Sequence, residues 1–205
     1  MLKKLVPVFI KDLIKDFLAK SRQNMSDSVT PENWHVKFIQ NLAILMKVQV
    51  YAELGIYEGE TFNAINAETK IAVDIDSKYL SFADKSPSNT SILGDSLVLA
   101  EYLKTNSIEL DMLFIDANHS CQAVFTDFKA LESFVKPNGI ILMHDTFPKS
   151  REYSAQEYCG DAFMALDDLT HEFKNWNFAT IPVHPGITLA TRLPNRPHWA
   201  LNHQD

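Results

Sequence analysis

The chain lacks a cysteine framework. Its 205 residues hold two cysteines, Cys121 and Cys159, which is too few for a stapled secreted scaffold and points to a reduced, cytoplasmic protein. It also lacks a basic surface: 19 Lys and Arg against 26 Asp and Glu leave a net charge of -7. This argues against nucleic acid as the main partner, because displacing counterions from a phosphate backbone needs a dense face of lysines and arginines. No low-complexity stretch or internal repeat interrupts the chain. No long hydrophobic run is present either. The apolar stretch at residues 5–10 is cut by Lys11 and Asp12, too early for a membrane span or a signal-peptide core. Finally, the G-x-G-x-x-G fingerprint of dinucleotide sites is missing.

A composition of 46% hydrophobic residues at this length supports one substantial core, burying roughly 70% of the surface of the unfolded chain. One domain is expected over 1–205, with a helical extension at 1–46, a core at 48–193 and a tail at 194–205. In the extension Leu2, Leu5, Phe9, Leu13 and Phe17 recur at helical spacing from near Pro7. Aspartates share the polar face with lysines, so this helix is expected to pack on the domain or form a homodimer, with no membrane partner.

Thr30-Pro31 reads as cap and first turn of a helix over 31–46. Beyond it, strand-like segments alternate with helical ones. Strands are expected at 48–54, 70–75, 90–93, 110–115 and 140–143, and a closing hairpin at 178–183 and 187–192. Helices are expected at 61–67, 77–84, 96–104, 121–135 (closed by a Pro137-Asn138-Gly139 turn) and 156–171. Such alternation means an α/β protein with a parallel sheet covered on both faces, here with antiparallel pairing at one edge.

Ligands of these sheets sit outside the carboxyl ends of the strands. The residues ending the first five strands are Glu53, Asp74, Asp95, Asp116 and Asp145, and all of them are acids. Gly55 and Gly59 permit a sharp turn and a close backbone approach after the first strand, although ordinary turn glycines would look the same. Tyr57 between them would crowd a pyrophosphate. Asp74 lies 21 positions beyond Glu53, the place of a ribose-binding acid in nucleoside-binding α/β folds. Together these features favour a nucleoside ligand. Asp95 reads equally well as a cap for the helix before Leu97, and His119 as a cap for the helix near Cys121. His35, His171, His184, His198 and His203 fall away from strand ends or in tails, and no site role is expected of them.

"ELGIYEGET", "AVDID", "GDS", "DMLFIDANHS" and "GIILMHDT", in that order over residues 48–146, resemble class I S-adenosylmethionine-dependent methyltransferases. The nearest branch is the catechol O-methyltransferase-like one, with its small bacterial members and the macrocin-type sugar O-methyltransferases. The resemblance implies a Rossmann-like three-layer α-β-α sandwich with a mostly parallel seven-stranded sheet and an antiparallel C-terminal hairpin. It implies that Glu53, Gly55, Tyr57 and Gly59 face the methionine part of the cofactor and that Thr61 donates to its carboxylate. Asp74 would hold the ribose, Asp95 and Ser96 would border the adenine, and Asp116 would adjoin the cofactor. It further implies that Asp116 binds a divalent cation, magnesium or manganese, with His119 as the base that deprotonates a small hydroxylated acceptor. Here the chain departs from the catechol pattern, which has an acid and then an amide where this sequence has His144, Asp145 and Thr146. Asp145 is the expected second ligand, and His144 as a direct ligand would point to a transition ion instead of magnesium. Two alternatives stand beside this reading. Asp116, His119 and His144 would also make a two-His-one-carboxylate iron site of a hydroxylase, or the chain could bind S-adenosylmethionine without catalysis. The stretch at 146–160, with Arg151, is expected to form a lid that selects the acceptor.

Overall fold

A computed structural model describes residues 33–192, together with Lys15. The expected N-terminal helix, the Thr30-Pro31 cap and the tail after residue 193 lie outside the described residues. Seven strands form one sheet in the order β3-β2-β1-β4-β5-β7-β6. They are β1 (Val50–Leu54), β2 (Thr69–Asp74), β3 (Asn89–Leu93), β4 (Leu110–Ile115), β5 (Val135–His144), β6 (Trp176–Ile181) and β7 (Ile187–Arg192). The first five pair in parallel, whereas β7 runs antiparallel to both β5 and β6.

Alternation of side chains divides the core between the two faces of the sheet. Tyr51, Met112, Phe114 and Leu142 point to one face. Trp34, Phe38, Ile39 and Leu42 of α1 (Trp34–Met46) cover them, with Phe62 of α2 (Glu60–Ala64). Ala52, Leu54, Leu113, Ile115 and Met143 point to the other. There they meet Leu99 and Leu103 of α4 (Ser96–Asn106), Val124 and Phe128 of α5 (Cys121–Leu131) and Leu169 of α6 (Ala165–Glu172). A short α3 (Ser77–Leu80) follows β2. The sheet is therefore the middle layer of three, and burial on both faces explains unbroken apolar strands such as "LDMLFI". Among the described residues no helix is long and apolar enough to cross a membrane.

Three expected elements change. The helix from Cys121 stops at Leu131, and after a 3-10 turn at Glu132–Phe134 the strand begins at Val135, eight positions before Met143. Pro137-Asn138-Gly139 thus lies inside β5, where the pairing with β4 shifts register between Leu110 and Met112. The helix expected at 77–84 ends at Leu80. The one expected at 156–171 begins only at Ala165, behind a 3-10 turn at Ala162–Met164. The cause is a tertiary contact: Gly160 takes φ +55 directly over His119, where a Cβ would lie 2.2 Å from the His119 carbonyl oxygen. A helix through residue 160 cannot make that approach.

Candidate active site

The chain enters the sheet at β1, builds outward to β3, and returns at β4 on the other side of β1. That reversal leaves a crevice above the carboxyl ends of β1 and β4. A cavity of about 1120 Å³ occupies it, reaching from Asp95 after β3 to His144 and Asp145 at the end of β5.

The β1 turn is held from β2. Asp74 is buried, and its Oδ2 accepts from the backbone N–H of Ile56 at 3.1 Å and of Tyr57 at 3.4 Å, while Oδ1 accepts from Asp76 N–H at 3.0 Å. This lets the loop carry Gly55, Tyr57 and Gly59 at positive φ without leaving its amides unpaired. Asp74→Ala should cost about 2–3 kcal/mol, the penalty for stranding buried donors. Urea unfolding measures it, and an unchanged midpoint would contradict this account of the loop.

Of the residues expected around the cofactor, Gly55, Tyr57, Asp74, Asp95, Ser96 and Asp116 line the cavity. Glu53, Gly59 and Thr61 are not among its lining residues. The Glu53 side chain lies one row below Asp74 and Asp116 on the same face of the sheet, where it accepts from the Tyr51 hydroxyl at 2.5 Å. Burial drives its carboxyl well above the usual range, although the Tyr51 bond and Lys70 oppose this. Gly59 sits at the start of α2, with Asn63 and the Phe82 backbone within 3.4 Å of any added Cβ, and Thr61 is buried. Asp95 caps α4 by accepting from Leu97 N–H and Val98 N–H while also facing the cavity. Ser120, and not His119, caps α5.

Four side chains converge at the β4–β5 end. His144 Nδ1 lies 3.1 Å from Asp116 Oδ1 and 3.3 Å from Asp145 Oδ2. His119 Nε2 lies 3.1 Å from Asp145 Oδ2 and 3.9 Å from Asp116 Oδ1. Asp145 adopts φ +58, a left-handed backbone uncommon outside glycine and enriched in aspartate, and this brings its carboxylate to both imidazoles. Thr146 turns instead to β7, where its hydroxyl accepts from Thr188 at 2.9 Å. His144 and Asp145 are therefore the pair that β5 offers.

Electrostatics bind this group together. Burial alone would lower the His144 imidazole, but the adjoining Asp116 and Asp145 carboxylates outweigh it and raise the pKa to about 10. Burial alone would raise Asp116, yet the charge and hydrogen bond of His144 hold its carboxyl below the usual range. The Tyr158 carbonyl can only accept, so the short contact with His119 Nδ1 places a proton on that nitrogen. The Nε2 atom faces the Asp145 carboxylate at 3.1 Å, where two lone pairs do not meet, so it shares a proton with that carboxylate and becomes the ring's basic atom when a cation occupies the carboxylates.

Asp116, His144 and Asp145 are the one such group among the described residues whose ligand atoms lie within 4.8 Å of one another. Two donors about 2.1 Å from a common ion stand roughly 3.0–3.5 Å apart, and the observed 3.1 and 3.3 Å separations fit that span. An imidazole among carboxylates suits manganese, iron or zinc better than magnesium.

Two histidines of which no site role was expected belong here. His35 of α1 packs at a tilt against His144 with ring centroids 4.6 Å apart, and burial lowers its pKa to about 4. His184 lines the cavity, with its Nδ1 3.9 Å from the buried Cys159 thiol. Burial, with Asp145 nearby, pushes that thiol up to about 12. One signal for His184 existed: β7 is antiparallel, so the turn before it must lie at the carboxyl end of β5. His35 carried none, because its helix reads as a plain apolar stripe. Within the expected lid, Gln156 to Cys159 line the cavity, whereas Arg151 is exposed on a 3-10 turn.

Residues 52–146 match the family model described as "Methyltransferase domain", a span that starts in β1 and ends just after Asp145. Over that stretch the chain is similar to methyltransferase domains. The sheet order is that of a Rossmann-like methyltransferase fold. Solved structures with the same fold include an O-methyltransferase from Bacillus cereus in complex with S-adenosylhomocysteine, with 13% identity, TM-score 0.62, and coverage of 88% of this chain and 90% of that one. The methyltransferase PaMTH1 of Podospora anserina shares 18% identity, with TM-score 0.62 over 93% and 90% of the two chains. The O-methyltransferase TomG of Streptomyces achromogenes, involved in tomaymycin synthesis, shares 12%, with TM-score 0.63 over 93% and 92%. No curated protein matches the chain.

Proposed function

We propose that this protein transfers the methyl group of S-adenosylmethionine to a hydroxyl of a small acceptor, at a divalent-ion site formed by Asp116, His144 and Asp145. The carrying observation is that these three groups and His119 Nε2 meet in the same cavity as Asp74 and Asp95, at its opposite end. The cofactor's ribose would lie at Asp74, with its methionine part along Gly55 and Tyr57. An ion held there would supply positive charge that acidifies the acceptor hydroxyl. His119, oriented through Nδ1 by the Tyr158 carbonyl, takes the hydroxyl proton on Nε2. The oxygen's freed electron pair forms the new O–C bond as the S–C bond breaks. The pair of the broken bond returns to sulfur, leaving neutral S-adenosylhomocysteine. Holding acceptor and sulfonium in line in one cavity accounts for much of the acceleration. The iron-hydroxylase alternative leaves the cavity between Asp74 and Asp95 without a ligand, which is why the transferase reading is preferred.

Calorimetric titration with S-adenosylhomocysteine, with and without manganese, tests this. One equivalent is expected to bind, with a separate metal site that Asp145→Ala removes. Absence of nucleoside binding under both conditions, with iron retained after anaerobic purification, would replace the transferase by the hydroxylase.

A further inference from the structure

Among the described residues, two buried side-chain nitrogens have no hydrogen-bond partner: Nδ1 of His35 and Nε2 of His144. They belong to neighbouring rings, whose centroids stand 4.6 Å apart at a tilt of 52°. A buried polar atom left alone costs about 1–3 kcal/mol, and two such costs at one contact call for a common explanation. The rest of the His144 surroundings supplies none. Its Nδ1 is engaged by Asp116 Oδ1 and Asp145 Oδ2 at 3.1 and 3.3 Å. Phe114 meets the ring edge to face at 6.0 Å and has no lone pair to offer.

The proposed ion site, on which this inference rests, fixes where the protons go. Nδ1 of His144 faces the two carboxylates, so it is the nitrogen that meets an ion held between them. A ligating imidazole is neutral and keeps one proton, which must then sit on Nε2. Metal-bound histidines regularly hand that N–H to an acceptor, which locks the ring's orientation and raises its basicity. Nδ1 of His35 can be the acceptor in the tautomer that carries its own proton on Nε2. Burial and the His144 charge both keep the His35 ring neutral, so that lone pair is available. We infer that His35 is the positioning residue of the ion site. Its Nδ1 accepts the His144 Nε2 proton, directly after a small rotation of the rings or through one bridging water, and so holds His144 Nδ1 toward Asp116 and Asp145. His35 stands on α1, ahead of the stretch 52–146 that resembles methyltransferase domains, so a helix outside that stretch completes the centre.

The test is calorimetric titration of the full chain with manganese, with neither acceptor nor nucleoside present. His35→Leu keeps much of the ring's packing but offers no acceptor, and should weaken manganese binding by about 10–100-fold. His35→Asn returns an oxygen near the place of Nδ1 and should recover affinity to within about 5-fold of wild type. A role in packing alone predicts the opposite order, because leucine replaces the apolar area and asparagine does not. Circular dichroism checks that both variants are folded. In wild type, NMR of the imidazole nitrogens reads the tautomers without any substitution, and should show His35 neutral with its proton on Nε2. A His35 proton on Nδ1, or equal manganese affinity in wild type and folded His35→Leu, would overturn the assignment. Wild type that binds no manganese would overturn the ion site as well, which sets that failure apart from the other two.

Discussion

Asp116→Asn should lower kcat/KM for methyl transfer by about 10³-fold, roughly 4 kcal/mol of transition-state stabilisation. The substitution keeps the side chain's shape and removes one negative charge. That charge balances His144 at 3.1 Å and faces His119 at 3.9 Å. Without it the proposed ion site would lose an anionic ligand and the buried imidazole its charged partner. S-adenosylhomocysteine affinity should change by less than about 10-fold, because the contacts assigned to Asp74 and Asp95 remain. This split separates a role in chemistry from a general loss of structure. A variant with near wild-type kcat/KM would show that the centre does not need Asp116.

The largest effect on stability is expected from Gly55→Ala, a change of one methyl group. Gly55 sits at φ +83 where β1 ends, with its N–H donating to Val73 O at 2.8 Å. An added Cβ would lie 2.2 Å from the Asp116 carbonyl oxygen and 2.6 Å from Ala117 Cα. Both are backbone atoms at the end of β4, so no side chain can swing away. The left-handed conformation costs about 1–2 kcal/mol for alanine, and the clash adds about 1–3 kcal/mol through displaced strands. A loss of about 3–5 kcal/mol is a large part of the stability of a typical domain. Denaturant unfolding should show a lower midpoint at unchanged slope. A shift below 1 kcal/mol would mean that β1 and β4 separate more easily than this packing implies.

Gly55 also shows where the sequence had the right residue and an incomplete reason. The glycine permits a close approach, but the nearest neighbour is the backbone of the strand that carries Asp116. Glu53 is a sharper case. It stands one position before the end of β1, paired with Ala72 and Phe114, so it lies on the same face as Asp74 and Asp116 but one row deeper, bonded to Tyr51. Strand-end position was legible from pattern, whereas the depth of the side chain below the rim depended on where the ladder placed residue 53.

What the sequence determined by itself was the sheet and the order of its acids. Apolar runs of strand length alternating with helical periodicity admit few packings other than a covered parallel sheet. In such a sheet the acids after β2, β3, β4 and β5 must share one rim, since parallel strands end on the same side. What only the tertiary structure decided was which distant residues complete that rim. His35 and His184 arrive from a helix face and an antiparallel turn, each separated in sequence from the residues it meets. Their placement follows from packing angles and from β7 inserting beside β5, which short-range periodicity does not encode. The bend at Gly160 that sets Tyr158 against His119 is of the same kind. A tight contact between segments some 40 residues apart overrides local helix preference, and it becomes visible only when both segments are in place.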